Sequence, residues 1–469
     1  MEQNKKQALA YFLSLLGLSF MLRLIRINQG LWYDEIYTLL RFVYAPWKYI
    51  LVSLPVPNNH ILYTLLAKAS INFFGLSEWS VRLPSVIIGG VTPALLYVSF
   101  RKRLGEFIAF IACLFMCLSF WMVWFSQDAR GYSGFILFSA LSNIFYLDWL
   151  KDRAQKSGIF YVVSSVICFY FFFYTGFIVA SQLAYGFIYW VKNRKSQNFY
   201  AFLLPMIPLG IALGLYSAGL ESLYYYSQTR GKDIAGRWLD IVLFKDTLKL
   251  LAGSHLLYFS ACAFALFLIG LFKVHKSYSG LVWLYVFATI LLLGATLFLR
   301  IFIYARFLAF LIPFFYLGIA CAIDLGADTM PSRFSTIKKS HIRIILTAIF
   351  SLFLCLSLAR YYVLGKQGFK DAARYIYKNY PTKDVISFGL SAYEYRYYDK
   401  YAEPCEDYQC LRDANLRTKL VVASHPWAWS SQSRALLDAL CVIEKVFPSA
   451  GDPDYQVYIF KCFEDKIRK

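Results

Sequence analysis

The stretch "HILYTLLAKASINFFG" (60–75) decides the topology, because counting it as a membrane span would reverse the side on which every later loop emerges. Its polar residues Thr64, Lys68 and Asn72 recur every four positions and so form one stripe of a helix. At about 1.5 Å per residue such a helix is about 24 Å long, short of the roughly 30 Å hydrocarbon core. It is therefore expected to lie in the interface. With this segment out of the count and the N-terminus inside, "RKR" (101–103), "KDRAQK" (151–156), "KNRK" (192–195), "KVHK" (273–276) and the stretch holding Arg333, Lys338 and Lys339 all fall on the cytoplasmic side. This is what the positive-inside rule requires, and counting 60–75 as a span would put all of them outside.

The composition requires a membrane reading. Of 469 residues, 59% are hydrophobic, 19% aromatic and only 16% charged, and the mean hydropathy is +0.50. The formal charge of +20 does not call for a nucleic-acid partner, because the Lys and Arg residues sit in short clusters between apolar runs. Apolar runs long enough to span read as 7–25, 82–100, 105–125, 131–150, 159–173, 175–191, 200–219, 255–272, 279–300, 306–325 and 342–362. The expectation is an α-helical polytopic protein with about eleven transmembrane helices, and a range up to about thirteen stays open. The first run has a basic start but no small-residue cleavage site before "RINQG", so it reads as an uncleaved helix.

After Tyr362 the sequence changes character, across the break "GKQG" (365–368). "FKDAARYIYKNYPTKDVISFGL" reads as an amphipathic helix, a Pro turn and a strand, and "KLVVASH" and "YQVYIFKC" read as further strands. Two domains are expected: a membrane domain over 1–362, and a small α/β domain over 363–469 on the outer face. Cys113, Cys117, Cys168, Cys262, Cys321 and Cys355 fall in apolar runs and read as small buried hydrophobes. Cys405, Cys410, Cys441 and Cys462 fall in the C-terminal domain, where disulfides in an oxidising compartment are expected with the pairing open.

The expected outer face collects the chemistry. In "QGLWYDEIYTLL" (29–40), Asp34 and Glu35 lie side by side, as a general base and its orienting neighbour or as the cap of the helix that follows. In "WFSQDARGYSG", Asp128 and Arg130 occupy a short turn between two spans, where an ion pair or a helix cap is the alternative reading. His60, Arg82, Arg230, Arg237, Arg300 and Arg306 form a third group, suited to a phosphate or to anchoring among lipid headgroups. The outer loop 220–254 carries Arg230 and Arg237. No Walker loop, HExxH, CxxC or GxSxG occurs, so ATP-driven transport, zinc proteolysis and serine hydrolysis lack support.

In order, "LWYDE", "PNNHILYTLLAKASINFFGLSEWSVRLPS", "SQDARGY" and "YARFLAFLIP" resemble the polyprenyl-phosphate-dependent glycosyltransferases of the GT-C fold. These are the family 39-like enzymes that include protein O-mannosyltransferases and the aminoarabinose transferases of lipid A. The resemblance covers most of the membrane region and is weaker in the C-terminal domain. It implies Asp34, Glu35 and Asp128 as catalytic residues, and Arg130, Arg306 and His60 around the donor phosphate; Arg82 and Arg237, from the group of outer cations suited to a phosphate, are expected to bind it too. At His60 the chain reads "PNNH" where many relatives read "HPP".

The implied activity is an inverting transfer of a sugar from a polyprenyl-phosphate-linked donor to a lipid, glycan or protein acceptor. It would take place at the periplasmic face of a bacterial inner membrane, with the N-terminus cytoplasmic. A divalent metal is left open, since metal dependence differs across the superfamily. A lipid-linked sugar flippase or a polysaccharide polymerase is the rival reading, and a scaffolding subunit without catalysis is a third. A flippase would not need a soluble outer domain or an adjacent carboxylate pair.

Overall fold

A computed structural model describes residues 2–54, 59–193, 199–222, 224–225, 240–299, 303–328, 339–414, 416, 418–451 and 453–463. By its internal contacts the chain divides into two units. The first comprises Met1–Ile25, Ala45–Leu76 and Ser80–Leu358; the second comprises Arg26–Tyr44, Ser77–Trp79 and Ala359–Lys469. Residues 26–44, which the sequence places in the first outer loop (26–81) of the membrane domain, thus count with the C-terminal residues.

The first unit is helical, and each expected apolar window within it falls on helix. Among the described residues of the whole chain, seven helices are long and apolar enough to cross a membrane, or eight when one bent pair is taken as a single span. The protein is a multi-pass membrane protein. One window departs from a single helix, and the divisions between two other pairs of runs are local backbone breaks. Run 105–125 is broken into Glu106–Leu118 and Phe120–Ser126, which meet at 64°; Ser119 between them leaves the helical region and its side chain caps Met122. Runs 255–272 and 279–300 are two helices within Leu257–Leu299, parted at a kink where Tyr278 adopts φ −152°, ψ 58°, in the gap between the two runs. Runs 159–173 and 175–191 appear as Gln155–Phe171 and Thr175–Asn193, divided near Phe172.

The stretch that opened the topology question forms the 14-residue helix Ile61–Phe74, too short to span, ended by Gly75 at φ +78°. Within the bundle, small residues let helix backbones approach closely. A Cβ on Gly270 would lie 1.8 Å from the Gly318 carbonyl oxygen, so Leu257–Leu299 and Ile312–Asp328 touch backbone to backbone there.

The second unit is built on a five-stranded sheet. Its strands are β1 (Val385–Phe388), β2 (Glu403–Cys405), β3 (Leu420–Ser424), β4 (Cys441–Phe447) and β5 (Val457–Cys462), in the order β2-β1-β3-β5-β4. β1 pairs in parallel with β2 and β3, whereas β5 runs antiparallel to β3 and β4. β1 and β3 are buried along their whole length, which is why they read as continuous apolar runs. The amphipathic segment after the "GKQG" break forms helix Phe369–Asn379, burying Phe369, Ala372, Ala373 and Ile376. Disulfides join Cys405 to Cys410 and Cys441 to Cys462, the latter across the β4–β5 pair.

The segment 26–44 is stapled into this unit by polar contacts. Arg26 Nη1 donates to the carbonyls of Tyr362 and Val363, Gln29 Nε2 donates to the Tyr361 hydroxyl at 2.6 Å, and the Leu31 amide donates to the Tyr398 hydroxyl at 2.6 Å. Glu78 joins through Lys370 at 2.5 Å.

Candidate active site

In the second unit the adjacent carboxylates have separate environments. Helix Tyr33–Thr38 begins after Trp32, and Glu35 Oε2 reaches back to accept the Trp32 amide at 3.1 Å. Glu35 Oε1 lies 3.7 Å from Lys366 Nζ, with both side chains fully buried. Glu35 is thereby committed to a cap and an internal ion pair, and Lys366 supplies the charge that makes its burial tolerable.

Asp34, also buried, faces other chemistry. Burial drives the His425 ring down to about 4, and the charge of Asp34 opposes that shift. Burial pushes the Glu394 carboxyl up to about 7, opposed by Arg41, with Glu406 and Asp34 adding to the rise. Asp34 therefore sits within electrostatic reach of a neutral histidine and a high-pKa carboxyl.

In the first unit, His60 and Arg130 form one cluster. His60 precedes helix Ile61–Phe74, and Arg130 lies in the turn before helix Tyr132–Asp152. The ring Nδ1 lies 2.8 Å from the Phe171 carbonyl oxygen, while Nε2 lies 3.2 Å from Arg130 Nε and 3.0 Å from Arg130 Nη2. A carbonyl only accepts and a guanidinium only donates, so Nδ1 carries the proton and Nε2 is the acceptor of a neutral ring. The same groups explain why His60 titrates well below the usual histidine range: burial comes first and the charge of Arg130 next, with Arg306 adding to them, against the Phe171 carbonyl.

The cluster is enclosed by aromatic rings. His60 stacks on Phe172 at 5.1 Å and meets Tyr132 at 5.3 Å. Phe172 packs 5.3 Å from Phe307, whose neighbour Arg306 holds its guanidinium 4.3 Å over the Tyr304 ring.

The turn itself is pinned at several points. The Arg130 amide donates to the Asp128 carbonyl at 2.7 Å, and the Arg130 carbonyl accepts Ser85 Oγ at 2.8 Å. Gln127 Nε2 donates to the carbonyls of Arg23 and Ile25, both at 2.7 Å, fastening the turn to the end of the first helix. Gly131 leaves no room for a side chain: a Cβ would stand 2.4 Å from the Phe171 carbonyl and 2.9 Å from His60 Nδ1. Asp128 and Arg82 are fully buried in the same unit. Arg237, like Arg230 and Arg300, lies outside the described residues.

The structure thus brings His60 and Arg130 into contact and Arg306 into electrostatic range, and Asp128 shares the turn of Arg130. Lys366, His425, Ser424 and Glu394 were not singled out by sequence reasoning. Lys366 lies in a stretch read as a break, and His425 ends a strand candidate; neither carries a motif.

No metal-ligand set is assembled among the described residues, where no group of three or more His, Cys, Asp or Glu side chains could hold an ion. Glu35 is committed to Lys366, and both His60 nitrogens already have partners.

A family of dolichyl-phosphate-mannose-protein mannosyltransferases matches by its sequence model over residues 57–213. No curated protein is matched by sequence. Among solved structures, apo ArnT from Cupriavidus metallidurans is similar with a TM-score of 0.58 at 12% identity over 98% of each chain. The same enzyme bound to undecaprenyl phosphate gives 0.56 at 11% identity, over 97% of this chain and 98% of that one. The oligosaccharyltransferase of Archaeoglobus fulgidus, in complex with Zn and sulfate, gives 0.55 at 11% identity over 97% of this chain and 73% of that one. Along its whole length, therefore, the chain has the GT-C fold of these membrane glycosyltransferases.

Proposed function

We propose that this protein is a membrane glycosyltransferase that moves a sugar from a polyprenyl-phosphate-linked donor to an acceptor at the outer, periplasmic face of a bacterial inner membrane. The observation that carries the reading is the guanidinium of Arg130, aimed by a neutral His60, inside the segment matched by the mannosyltransferase family. The undecaprenyl phosphate held by the similar ArnT supports a lipid phosphate as the ligand of this region. The basic loops support a cytoplasmic N-terminus and an outer C-terminal unit.

In this reading Arg130 and Arg306 hold the donor phosphate, with Arg82 and Arg237 as further cations. His60 acts as a positioning residue: being neutral, it adds no charge, but it holds the fork of Arg130 in one orientation. Asp34 is the general base. Its carboxylate takes the proton of the acceptor hydroxyl or amine as the acceptor oxygen or nitrogen bonds to the anomeric carbon. The bond from that carbon to the phosphate oxygen breaks, and the lipid phosphate leaves with the electron pair. One displacement inverts the configuration. Glu35, tied to Lys366, fixes the helix that presents Asp34, and Asp128 supports the turn that presents Arg130.

The test is transfer of radiolabelled sugar from purified polyprenyl-phosphate donors by membranes containing wild type, Asp34→Asn or Arg130→Ala. The reading expects loss of transfer in both variants, with binding of undecaprenyl phosphate weakened only in Arg130→Ala. Wild-type transfer rates in a correctly folded Asp34→Asn protein would overturn Asp34 as base. Lipid-linked sugar translocation without transfer would favour a flippase.

A further inference from the structure

In the order β2-β1-β3, the chain leaves β1 for one side of the sheet and returns on the other. The β1/β3 boundary is therefore a topological switch point, where open parallel α/β sheets place ligands beyond the carboxyl ends of the strands. Polar groups of the second unit converge there. Ser391, just after β1, has its Oγ 2.6 Å from Ser424 Oγ at the end of β3, and Ser424 Oγ lies 2.8 Å from His425 Nδ1.

His425 occupies the left-handed region at φ 57°, ψ 60°, a conformation that costs a side-chain-bearing residue about 1 kcal/mol or more. It is only 3% exposed, and among the described residues Nε2 makes no hydrogen bond. Its ring lies 5.2 Å from that of Tyr33 and 5.9 Å from that of Tyr455.

An independent observation comes from Gln367. Its Oε1 accepts the Tyr33 amide at 2.8 Å, while its Nε2 is buried without a partner. A buried, unpaired amide is costly, and a bound acceptor of hydrogen bonds would relieve it. Helix Ala392–Tyr395, which carries Glu394, packs against helix Tyr33–Thr38, which carries Asp34.

We propose that this edge of the second unit binds a sugar ring, with Tyr33 and Tyr455 against its C–H faces and His425, Gln367, Asp34 and Glu394 on its hydroxyls. The neutral imidazole accepts through Nε2, the Gln367 amide donates, and the carboxyl groups accept. Two carboxyl groups make the edge unsuited to phosphate, so it is chemically distinct from the Arg130 cluster. The inference rests on the glycosyltransferase reading only for the role of the sugar as a reactant. The ring belongs either to the acceptor or to the donor's transferred residue.

The test uses the full chain in lipid nanodiscs prepared without sugar-based detergent, with methyl α-mannopyranoside and methyl β-glucopyranoside as probes in saturation-transfer NMR. Binding of at least one glycoside is expected in wild type, weakened about tenfold in His425→Ala and in Gln367→Ala. Thermal unfolding checks the fold of each variant, and Gln367→Ala decides if His425→Ala does not fold. Displacement of the glycoside by undecaprenyl-phosphoryl mannose assigns the ring to the donor, and simultaneous binding assigns it to the acceptor. Absence of binding in wild type, or unchanged binding in folded variants, overturns the proposal. Undecaprenyl phosphate binding, measured separately with Arg130→Ala, tests the transferase reading on its own.

Discussion

Arg130 donates through two nitrogens, Nε at 3.2 Å and Nη2 at 3.0 Å, to the single atom Nε2 of His60. The opposite side of the ring is anchored by the Phe171 carbonyl, so the imidazole is a rigid spacer between a backbone break and a guanidinium. Removing it would leave Arg130 buried with fewer partners. His60→Ala is expected to weaken undecaprenyl phosphate binding about tenfold, read by calorimetry, while His60→Gln, which can still accept, recovers part of the loss. His60 titrates below the usual histidine range in the folded protein. The unfolded chain therefore takes up this proton first as pH falls through the ordinary value near 6.5. His60 thus removes stability with falling pH, and its replacement should flatten that loss.

Gly131→Ala probes the same cluster from the backbone. The added methyl would meet the Phe171 carbonyl at 2.4 Å and His60 Nδ1 at 2.9 Å, and neither is the far end of a flexible side chain. Displacing the turn is expected to cost about 1–3 kcal/mol, as overpacking does, and to reduce donor binding along with it. A fall in thermal stability without any fall in lipid phosphate affinity would separate the turn from the cluster.

Lys366 and Glu35 test whether the second carboxylate is structural. Lys366→Met leaves a buried carboxylate without its cation, which is expected to cost about 3–5 kcal/mol of stability. The double change with Glu35→Gln should recover a large part of that loss, because the orphaned charge is then gone. Thermal unfolding of the two single variants and the double variant measures the coupling.

His425 and Glu394 should pull the pH dependence of stability in opposite directions. The His425 ring is lowered to about 4, so the unfolded chain binds its proton first and stability falls as pH drops from the ordinary histidine value toward 4. The Glu394 carboxyl is raised to about 7, so the folded chain keeps its proton longer and stability falls as pH rises from 4.5 to 7. Glu394→Gln should therefore exceed wild type in melting temperature at pH 7, with the gap closing toward pH 4.5. A gap that does not change with pH would count against this assignment.

Much of the fold was legible from local pattern. Apolar run length marked the helices, and the four-residue polar stripe of 60–75 marked a helix too short to span, as the 14-residue Ile61–Phe74 is. The strands within "KLVVASH" and "YQVYIFKC" are present as β3 and β5. β2 and β4 had no comparable signal. β2 is three residues long, and β4, "CVIEKVF", has mostly partly or fully exposed residues and a register shift between Ile443 and Lys445, so neither alternation nor a continuous apolar run announces them. At the site, Arg130, His60 and Arg306 stood out because polar residues beside apolar spans are conspicuous, whereas Lys366 and His425 sit among ordinary loop and strand-end residues.

The sequence by itself determined that the chain is a helical membrane protein with a short amphipathic helix within its first outer loop and an α/β segment at its C-terminus. Hydrophobic run length and periodicity are properties of neighbouring residues, and they need no tertiary contact to be read. The tertiary structure alone decided what the charged residues do. Glu35 and Lys366 are 331 residues apart in the chain, and His60 and Arg130 are separated by 70. Whether a carboxylate is a base or half of an ion pair, and whether a histidine is a cation or a neutral spacer, depends on burial and on the partner that folding brings within about 4 Å. Asp34 and Glu35 are adjacent in the chain, yet the cation that binds one and the histidine that feels the other come from the far end of the sequence.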